Sequence, residues 1–441
     1  MEFIGRESEV ELLRKLRARS DRQAQMTVLT GRRRVGKTTL LREALDDGKG
    51  FYVHLPITRQ SEKTLCVELQ TEVERVLGLG ILGQSSSFRD LFRILMEASL
   101  KRSFTLVLDE FQEFDRINSA VFSQVAAVWD EYHVRSKMNL VVCGSINRLM
   151  NKIFFDDGEP LYGRNTASIR LRPFKISLLK TILARHYPKY TADDLLALWT
   201  VTGGVARYVD MMVGARALTR KKMIEEIFAQ GSSYLEEGRT ILAEEFGPDY
   251  GVYFTILSAI ASGATTSAEL KALVGAEVNG YLTKLERDYS LVSKKIPLFE
   301  KETSKNCHYQ IDDCFFRFWF RFVFKYRGLL ELERYDQLRQ IVVRDFDAFS
   351  GYALERFFYW KFAEETTYTK MGAWWNRKGE EEIDLVCEDE LNGTIGFYEI
   401  KHDIRRFDKN RLQQKIDAFY EKHPEKKSMQ AVARGLSLMD M

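Results

Sequence analysis

Apolar residues recur with two different periods along the 441 positions, and the change from one period to the other marks where strands give way to helices. Short apolar or β-branched runs stand at Met26–Thr30, Phe51–Leu55, Phe104–Leu108 and Asn139–Cys143. They are too short for helices and too apolar for strands that face water. Between them a 3.6-residue spacing predicts helices over Val10–Leu16, Thr38–Leu45, Lys63–Leu77 and Phe88–Ser99. Such alternation predicts a mostly parallel α/β sheet, which binds ligands at the carboxyl ends of its strands.

Beyond this region the pattern changes. Ser177 to about Phe246 reads as helical throughout, broken at Pro188, Gly203-Gly204 and Gly231-Ser232, and Gly247-Pro248 marks a boundary. Helices over Tyr250–Ala261, Ser267–Leu273 and Val278–Arg287 then precede strand-like runs at Leu291–Phe299 and Asn306–Ile311. Three short helices and a hairpin predict a winged helix, with Val278–Tyr289 as recognition helix and Lys294–Lys305 as wing. Asn279, Lys284, Arg287, Lys294, Lys295, Lys301 and Lys305 are its candidate contacts to DNA. Glu277, Glu286, Asp288, Glu300 and Glu302 dilute that charge, and a winged helix packed on protein is the alternative. The aromatic stretch Asp313–Phe324 carries Arg317 and Arg321 on one helical face, which predicts a buried connecting helix. A helix from about Phe346 to Phe362, a hairpin over Glu382–Lys401 and a basic amphipathic helix over Phe407–Tyr420 follow.

Composition narrows the function classes. A chain of this length exceeds one hydrophobic core, so two to four domains are expected. A net charge of +3 requires any nucleic-acid binding to come from a local patch. The five cysteines form no C-x-x-C pair, and no run of eighteen apolar residues exists, so a cytoplasmic protein without a membrane span is expected.

The chemistry is concentrated after the first strand. Gly31, Gly36, Lys37 and Thr38 satisfy G-x-x-x-x-G-K-[ST], the loop whose backbone N–H groups and following helix N-terminus cradle nucleotide phosphates. The binding segment is Gly31, Arg32, Arg33, Arg34, Val35, Gly36, Lys37, Thr38 and Thr39, with Lys37 on the β/γ-phosphates and Thr38 on Mg²⁺. Asp109 and Glu110 end a buried strand, where an Asp holds the Mg²⁺ shell and the next Glu deprotonates the attacking water. Ser145, after the fourth run, is placed to meet the γ-phosphate or that water, or to cap its strand.

These residues resemble the AAA+ and STAND-like ATPases, specifically the archaeal-type ATPase family. The likeness extends over Phe3-Ile-Gly-Arg-Glu7, the phosphate loop, Leu108-Asp-Glu-Phe-Gln112, Cys143-Gly-Ser145, Pro160-Leu-Tyr-Gly-Arg164, Leu171-Arg-Pro-Phe174 and Gly203-Gly-Val-Ala-Arg207. It implies ATP and Mg²⁺ as ligands, with Phe3, Ile4, Gly5 and Arg6 near the adenine and Ser145 as first sensor. The Gly-Gly motif would open a lid helix, although Ala206 stands where the family usually has proline. Arg164 and Arg207 are the candidate γ-phosphate arginines, and one acting in trans requires a homo-oligomer or another protein partner.

In the last segment Asp384 followed by Glu399-x-Lys401 fits the PD-(D/E)XK nuclease pattern. A turn centred between Leu391 and Asn392 sets Asp384 opposite Glu399, while a type I′ turn at Asn392-Gly393 sets it opposite Lys401. Either register puts all three on one face, away from Ile383, Leu385, Tyr398 and Ile400. Asp384 and Glu399 could there hold Mg²⁺ beside Lys401, and the resemblance adds Glu355 from a neighbouring helix. The expected architecture is α/β, a P-loop ASCE ATPase core (1–175), a helical lid (176–246), a winged helix with its connecting helix (247–330) and a restriction-endonuclease-like domain (331–441). The expected function is ATP hydrolysis coupled to DNA binding or metal-dependent DNA cleavage. The alternative is a nucleotide-controlled switch whose nuclease-like domain is not catalytic.

Overall fold

The four apolar runs lie in one five-stranded parallel sheet, β1 (Gln25–Thr30), β2 (Tyr52–Pro56), β3 (Phe104–Asp109), β4 (Met138–Gly144) and β5 (Ala167–Arg170), in the order β2-β3-β4-β1-β5. The computed structural model describes residues 2–46, 48, 51–145, 147–246, 250–377 and 379–441, so the boundary at Gly247-Pro248 lies outside the described residues. It divides into two compact units, Glu2–Arg172 and Pro173–Met441.

In the first unit the helices are α1 (Glu7–Arg19), α2 (Lys37–Leu45), α3 (Glu62–Leu77), α4 (Phe88–Lys101), α5 (Phe114–Asn118), α6 (Val121–Tyr132) and α7 (Asn147–Phe155). Alternate residues of each strand enter opposite cores. Val28, Leu106, Leu108 and Leu140 join α3, α4 and α6 on one face, while Leu29, Val107 and Val141 join α1 and α2 on the other. A sheet buried on both faces needs the continuous apolar runs seen in the sequence. Because the strands are parallel and in register, with Thr30 beside Gly144 and Leu108 beside Val142, their carboxyl ends form one edge.

The second unit opens with α8 (Ile176–His186), α9 (Ala192–Thr202), α10 (Ala206–Gly214), α11 (Arg220–Ile227) and α12 (Ser233–Phe246). Three helices follow, α13 (Tyr250–Ala261), α14 (Ser267–Val274) and α15 (Asn279–Arg287), then an antiparallel ribbon of β6 (Val292–Lys295) and β7 (His308–Ile311). The aromatic stretch starts as α16 (Cys314–Phe318) and widens into a π-helical turn over Trp319–Phe324, so the expected uniform connecting helix is interrupted. Its burial is as expected: Phe315, Phe318, Phe320 and Phe322 are enclosed. After α17 (Arg327–Glu331) comes α18 (Tyr335–Glu365), which starts eleven residues earlier and ends three later than the pattern suggested. The last sheet has β8 (Lys370–Trp375), β9 (Glu382–Asp389), β10 (Thr394–Ile400) and β11 (Gln430–Leu436) in the order β11-β10-β9-β8, with α19 (Lys409–Lys422) between β10 and β11.

The β9–β10 ladder pairs Leu385 with Tyr398, a register that carries Asp384 opposite Glu399. This is the first of the two turn alternatives. The division into one core face and one charged face needs correction. Val386 and Phe397 pack under Phe419 of α19, while Tyr398 on the other face meets Phe362 of α18 at 5.0 Å between centroids. Helices cover both faces of this short sheet, and its charge gathers toward the two ends of the hairpin, Asp384 and Glu399 at one and Glu388, paired with Lys426 and Lys370, near the other.

The ribbon also differs from a free wing. Leu298 donates its N–H to Ala373 O of β8 at 2.9 Å, and Trp375 Nε1 donates to Asn306 Oδ1 at 2.9 Å. Phe299 lies against Phe419 and His423 and holds a left-handed φ of 73°, a costly conformation for an aromatic residue that packing on several sides sustains.

Candidate functional site

The phosphate loop leaves β1 under tight constraint. A Cβ on Gly31 would stand 2.7 Å from Leu171 O, so this position admits glycine alone. Arg34 and Gly36 have φ of 70° and 99°, the alternation of handedness that turns successive N–H groups into one concavity. Val35 is buried in the α2-side core and anchors the loop. Lys37 is buried too, its Nζ donating to Gly31 O at 2.8 Å and Arg32 O at 3.4 Å. Thr38 and Thr39 stand exposed on the first turn of α2. Backbone donors, a helix N-terminus, a curled lysine and an open threonine fit a nucleotide polyphosphate.

Asp109 and Glu110 follow at the same sheet edge. Asp109 accepts from Glu110 N–H at 3.0 Å and meets His54 Nε2 at 3.2 Å. Burial pushes its carboxyl up, but His54, Lys37 and the Glu110 N–H outweigh that and hold it below the ordinary carboxylate range. An ionised Asp109 and the Thr38 hydroxyl are the donors the fold offers to Mg²⁺. Glu110 takes φ of 54°, and its Oε2 accepts from Ser145 Oγ at 2.8 Å and from Gln112 Nε2 at 2.5 Å. Ser145 therefore reaches the glutamate. His54 and Gln112 had no role in the sequence reading: the first comes from a neighbouring strand, and the second gains meaning only from where the turn after β3 points.

The remaining N-terminal candidates are more dispersed. Phe3 is half-buried against the α2-side core, with Ile4 and Gly5 following it. Arg6 donates to Arg172 O and to Glu9 Oε1, tying that box to the last residue of the unit. Arg164 makes a fork to Asp130, with contacts of 3.0 and 2.7 Å, and would have to leave this pair to meet a phosphate. Arg207 belongs to the second unit, exposed on the first turn of α10.

At the end of the C-terminal hairpin the acidic residues come together with two lysines. Asp384 Oδ2 accepts from Ile400 N–H at 2.7 Å and Lys401 Nζ at 3.3 Å, while Lys401 Nζ also reaches Glu399 Oε1 at 2.8 Å. Lys415 of α19, absent from the sequence reading, donates to both oxygens of Glu399 at 2.8 and 2.9 Å. Burial, then the charge of Glu399, pushes Asp384 up; burial, then Asp384 and Glu382, pushes Glu355 up to about 8. Glu382 rises for the same reasons, burial first. Burial would lower Lys401, but Asp384 and Glu399 hold it above its ordinary value. Among the described residues no group of three or more His, Cys, Asp or Glu could hold a metal ion. As arranged, the Asp384–Glu399 pair is satisfied by ammonium groups and does not fit a divalent ion.

The helical triplet presents Asn279, Thr283, Lys284 and Arg287 along the exposed side of α15, with Leu282 and Leu285 buried behind. Two of the wing lysines are engaged elsewhere, Lys295 pairing with Asp312 at 3.2 Å and Lys294 Nζ donating to Glu302 O at 3.3 Å, while Lys301 and Lys305 are exposed. No helix of the described residues is long and apolar enough to cross a membrane.

Comparison with known proteins bears on each half. Residues 3–212 match the model of an ATPase domain predominantly from Archaea, and residues 319–417 match a model of archaeal and bacterial proteins of unknown function. An uncharacterized protein of Methanocaldococcus jannaschii is 24% identical over 414 residues, 90% of this chain and 87% of that one. Among solved structures, a Walker-type ATPase of Pyrococcus abyssi is 19% identical with a TM-score of 0.52, covering 72% of this chain and 96% of its own. The ORC2 protein of Aeropyrum pernix is 14% identical with a TM-score of 0.51, covering 78% and 96%. At these identities the likeness is one of fold. The domain match spans the loop, Asp109, Glu110 and Ser145, and the N-terminal half of this chain is similar in sequence pattern and fold to P-loop ATPase domains.

Proposed function

We propose that this protein binds and hydrolyses ATP with Mg²⁺ and that the nucleotide cycle governs contact with DNA. The carrying observation is the convergence of Lys37, Asp109, Glu110 and Ser145 on one sheet edge, two of them linked through Glu110 Oε2. The Aeropyrum ORC2 protein, of similar fold, was solved with ADPNP and ADP, which supports the ligand class. Mg²⁺, held by Thr38 and Asp109, would neutralise charge on the β- and γ-phosphates. Lys37 exchanges its loop carbonyls for phosphate oxygens. Glu110, its carboxylate oriented by the hydrogen bonds from Ser145 and Gln112, accepts the proton of the attacking water.

The first test is turnover. Lys37→Ala should abolish ATP binding, whereas Glu110→Gln should bind ATP and hydrolyse it about 100-fold more slowly. Wild-type turnover by Glu110→Gln would remove Glu110 as the base.

The helical triplet and ribbon are read as a winged helix that meets DNA through the exposed side of α15. The C-terminal sheet is read as a nuclease-like fold. The lysines on Asp384 and Glu399 favour a resting switch over a standing nuclease. Plasmid nicking with Mg²⁺ or Mn²⁺, with and without ATP, separates the two: a switch leaves the plasmid intact, and a nuclease nicks it in wild type but not in Asp384→Ala.

A further inference from the structure

The two edges of the last sheet end differently. At β8 the edge is closed by the ribbon loop, whose Leu298 N–H meets Ala373 O at 2.9 Å. At the other edge the order β11-β10-β9-β8 leaves β11 with one neighbour. The parallel pairing with β10 fixes which backbone groups face outward. Gln430 N–H donates to Gly393 O at 2.8 Å and Leu436 O accepts from Lys401 N–H at 2.9 Å, so residues 430, 432, 434 and 436 turn both backbone groups to β10. Ala431 and Ala433 therefore turn their N–H and C=O to the open edge, and among the described residues no other element meets them there. Residues 430–434 are all exposed, whereas Gly435 and Leu436 are buried, and a Cβ on Gly435 would stand 2.5 Å from the Phe407 ring. Edge strands are ordinarily guarded by charge, proline, a bulge or a covering loop. Residues 428–433 carry no charge and no proline, and Arg434, the charged residue of β11, is paired with Asp440.

We infer that β11 is a dimerisation strand, which pairs antiparallel with β11 of a second copy of this chain about a two-fold axis at Val432. An occupant that satisfies outward amides and carbonyls at every second residue is itself an extended strand. The sequence of β11 selects a second copy. With the axis at Val432, Ala431 of one copy lies opposite Ala433 of the other, and each such pair exchanges both of its backbone hydrogen bonds. Val432 then faces its own counterpart in a non-hydrogen-bonded pair, where side chains come closest, and a valine left 48% exposed in one chain gains an apolar partner. Gln430 falls opposite Arg434, an amide oxygen beside a guanidinium, so no like charges are opposed. An axis at Arg434 would oppose two arginines, and a register that uses Gly435 needs a residue that Phe407 already encloses. The two four-stranded sheets become one continuous sheet whose outer edges are both closed by ribbon loops.

The experiment is sedimentation equilibrium of the full chain without nucleotide, over about 1 to 100 μM, a range in which a small interface gives a concentration-dependent dimer. The proteins are wild type, Val432→Lys, Val432→Glu, an equal mixture of those two, and Ala433→Pro, whose lost N–H faces outward and leaves the β10 ladder intact. Wild type should dimerise. Each variant alone should weaken association at least about 10-fold, and the mixture should restore it, because an axis at Val432 sets the two introduced charges opposite each other. A wild-type chain that stays monomeric throughout overturns the inference and leaves the edge to a strand of some other protein. A dimer that persists in Val432→Lys and Ala433→Pro places the interface elsewhere and also overturns it. Association lost in both charged variants without recovery on mixing, with melting curves that show them folded, overturns the axis at Val432. Should Ala433→Pro fail to fold, the two charged variants decide alone, since Val432 stands outside the core.

Discussion

At the scale of single residues, the hydrogen bond from Ser145 to Glu110 sets a second task beside the phosphate or water contact its position suggested. Its hydroxyl donates to Glu110 Oε2 rather than pointing into an open site. Ser145→Ala should therefore leave ATP affinity unchanged and alter kcat about 10- to 100-fold, since a group that orients the base acts on the transition state and not on ground-state binding. An altered KM with unchanged kcat would return Ser145 to the phosphate. Glu355 supports a second prediction. Its folded carboxyl is raised to about 8 from an ordinary value of 4.5. The folded state then binds more protons than the unfolded chain between those values. Its contribution to stability is whole below about pH 4.5 and is lost as pH rises toward 8. Glu355→Gln, isosteric and neutral, should raise stability above about pH 7 by roughly 1–3 kcal/mol and by less at pH 5. Urea denaturation across that range checks it; a loss of stability at pH 8 would mean the carboxylate is a needed partner there.

At the scale of elements, α18 connects most of the second unit. Glu364 caps the N-terminus of α8 by accepting from Ile176 and Ser177 N–H at 2.7 and 3.1 Å, and Ala353 O accepts from Trp199 Nε1 of α9 at 3.0 Å. Arg317 packs over Phe349 and Tyr352 and donates to Phe349 O, while Glu355 faces the hairpin cluster. Because Glu364 meets two orphan donors of a helix start, Glu364→Ala should cost about 0.5–2 kcal/mol in urea denaturation. The DNA contacts also divide by element. Lys284 and Arg287 stand on the exposed side of α15, but Lys294 and Lys295 are engaged within the ribbon. Loss of either α15 residue should flatten the salt dependence of DNA binding by roughly one unit, and a combined Lys294→Ala and Lys295→Ala change should leave the slope unaltered. The opposite result would make the ribbon the DNA contact.

At the scale of the molecule, two units with separate cores carry separate chemistry. The first is a doubly covered parallel sheet whose strand ends gather the nucleotide residues. In the second, the helices after α7, the ribbon and the last sheet share one body, and the loop between β6 and β7 is built into the final sheet. Phe299 is the pin of that joint, with Lys426 4.7 Å above its ring and Phe419 against it. Phe299→Ala would lose this packing while keeping a residue in the left-handed region. A cost of about 2–4 kcal/mol in chemical denaturation is expected. A much smaller cost would show that the ribbon and sheet hold together without it.

What the sequence determined by itself was local. The phosphate loop, the acidic strand end after β3 and the alternation of apolar runs are properties of contiguous residues, set by backbone conformation and side-chain period, and each appears where the pattern put it. Even the Asp384–Glu399 pairing was narrowed by turn geometry to two registers. Only the tertiary structure decided which atoms share a hydrogen bond across elements. His54 beside Asp109, Ser145 on Glu110 and Lys415 on Glu399 join residues 55, 35 and 16 positions apart. No period in the chain encodes such contacts, because they depend on strand order and on how deeply a helix is pressed against a sheet. Tertiary packing likewise covered the hairpin on both faces and paired Lys295 with Asp312. A solvated charge and a neutralised one look the same in sequence, and burial separates them.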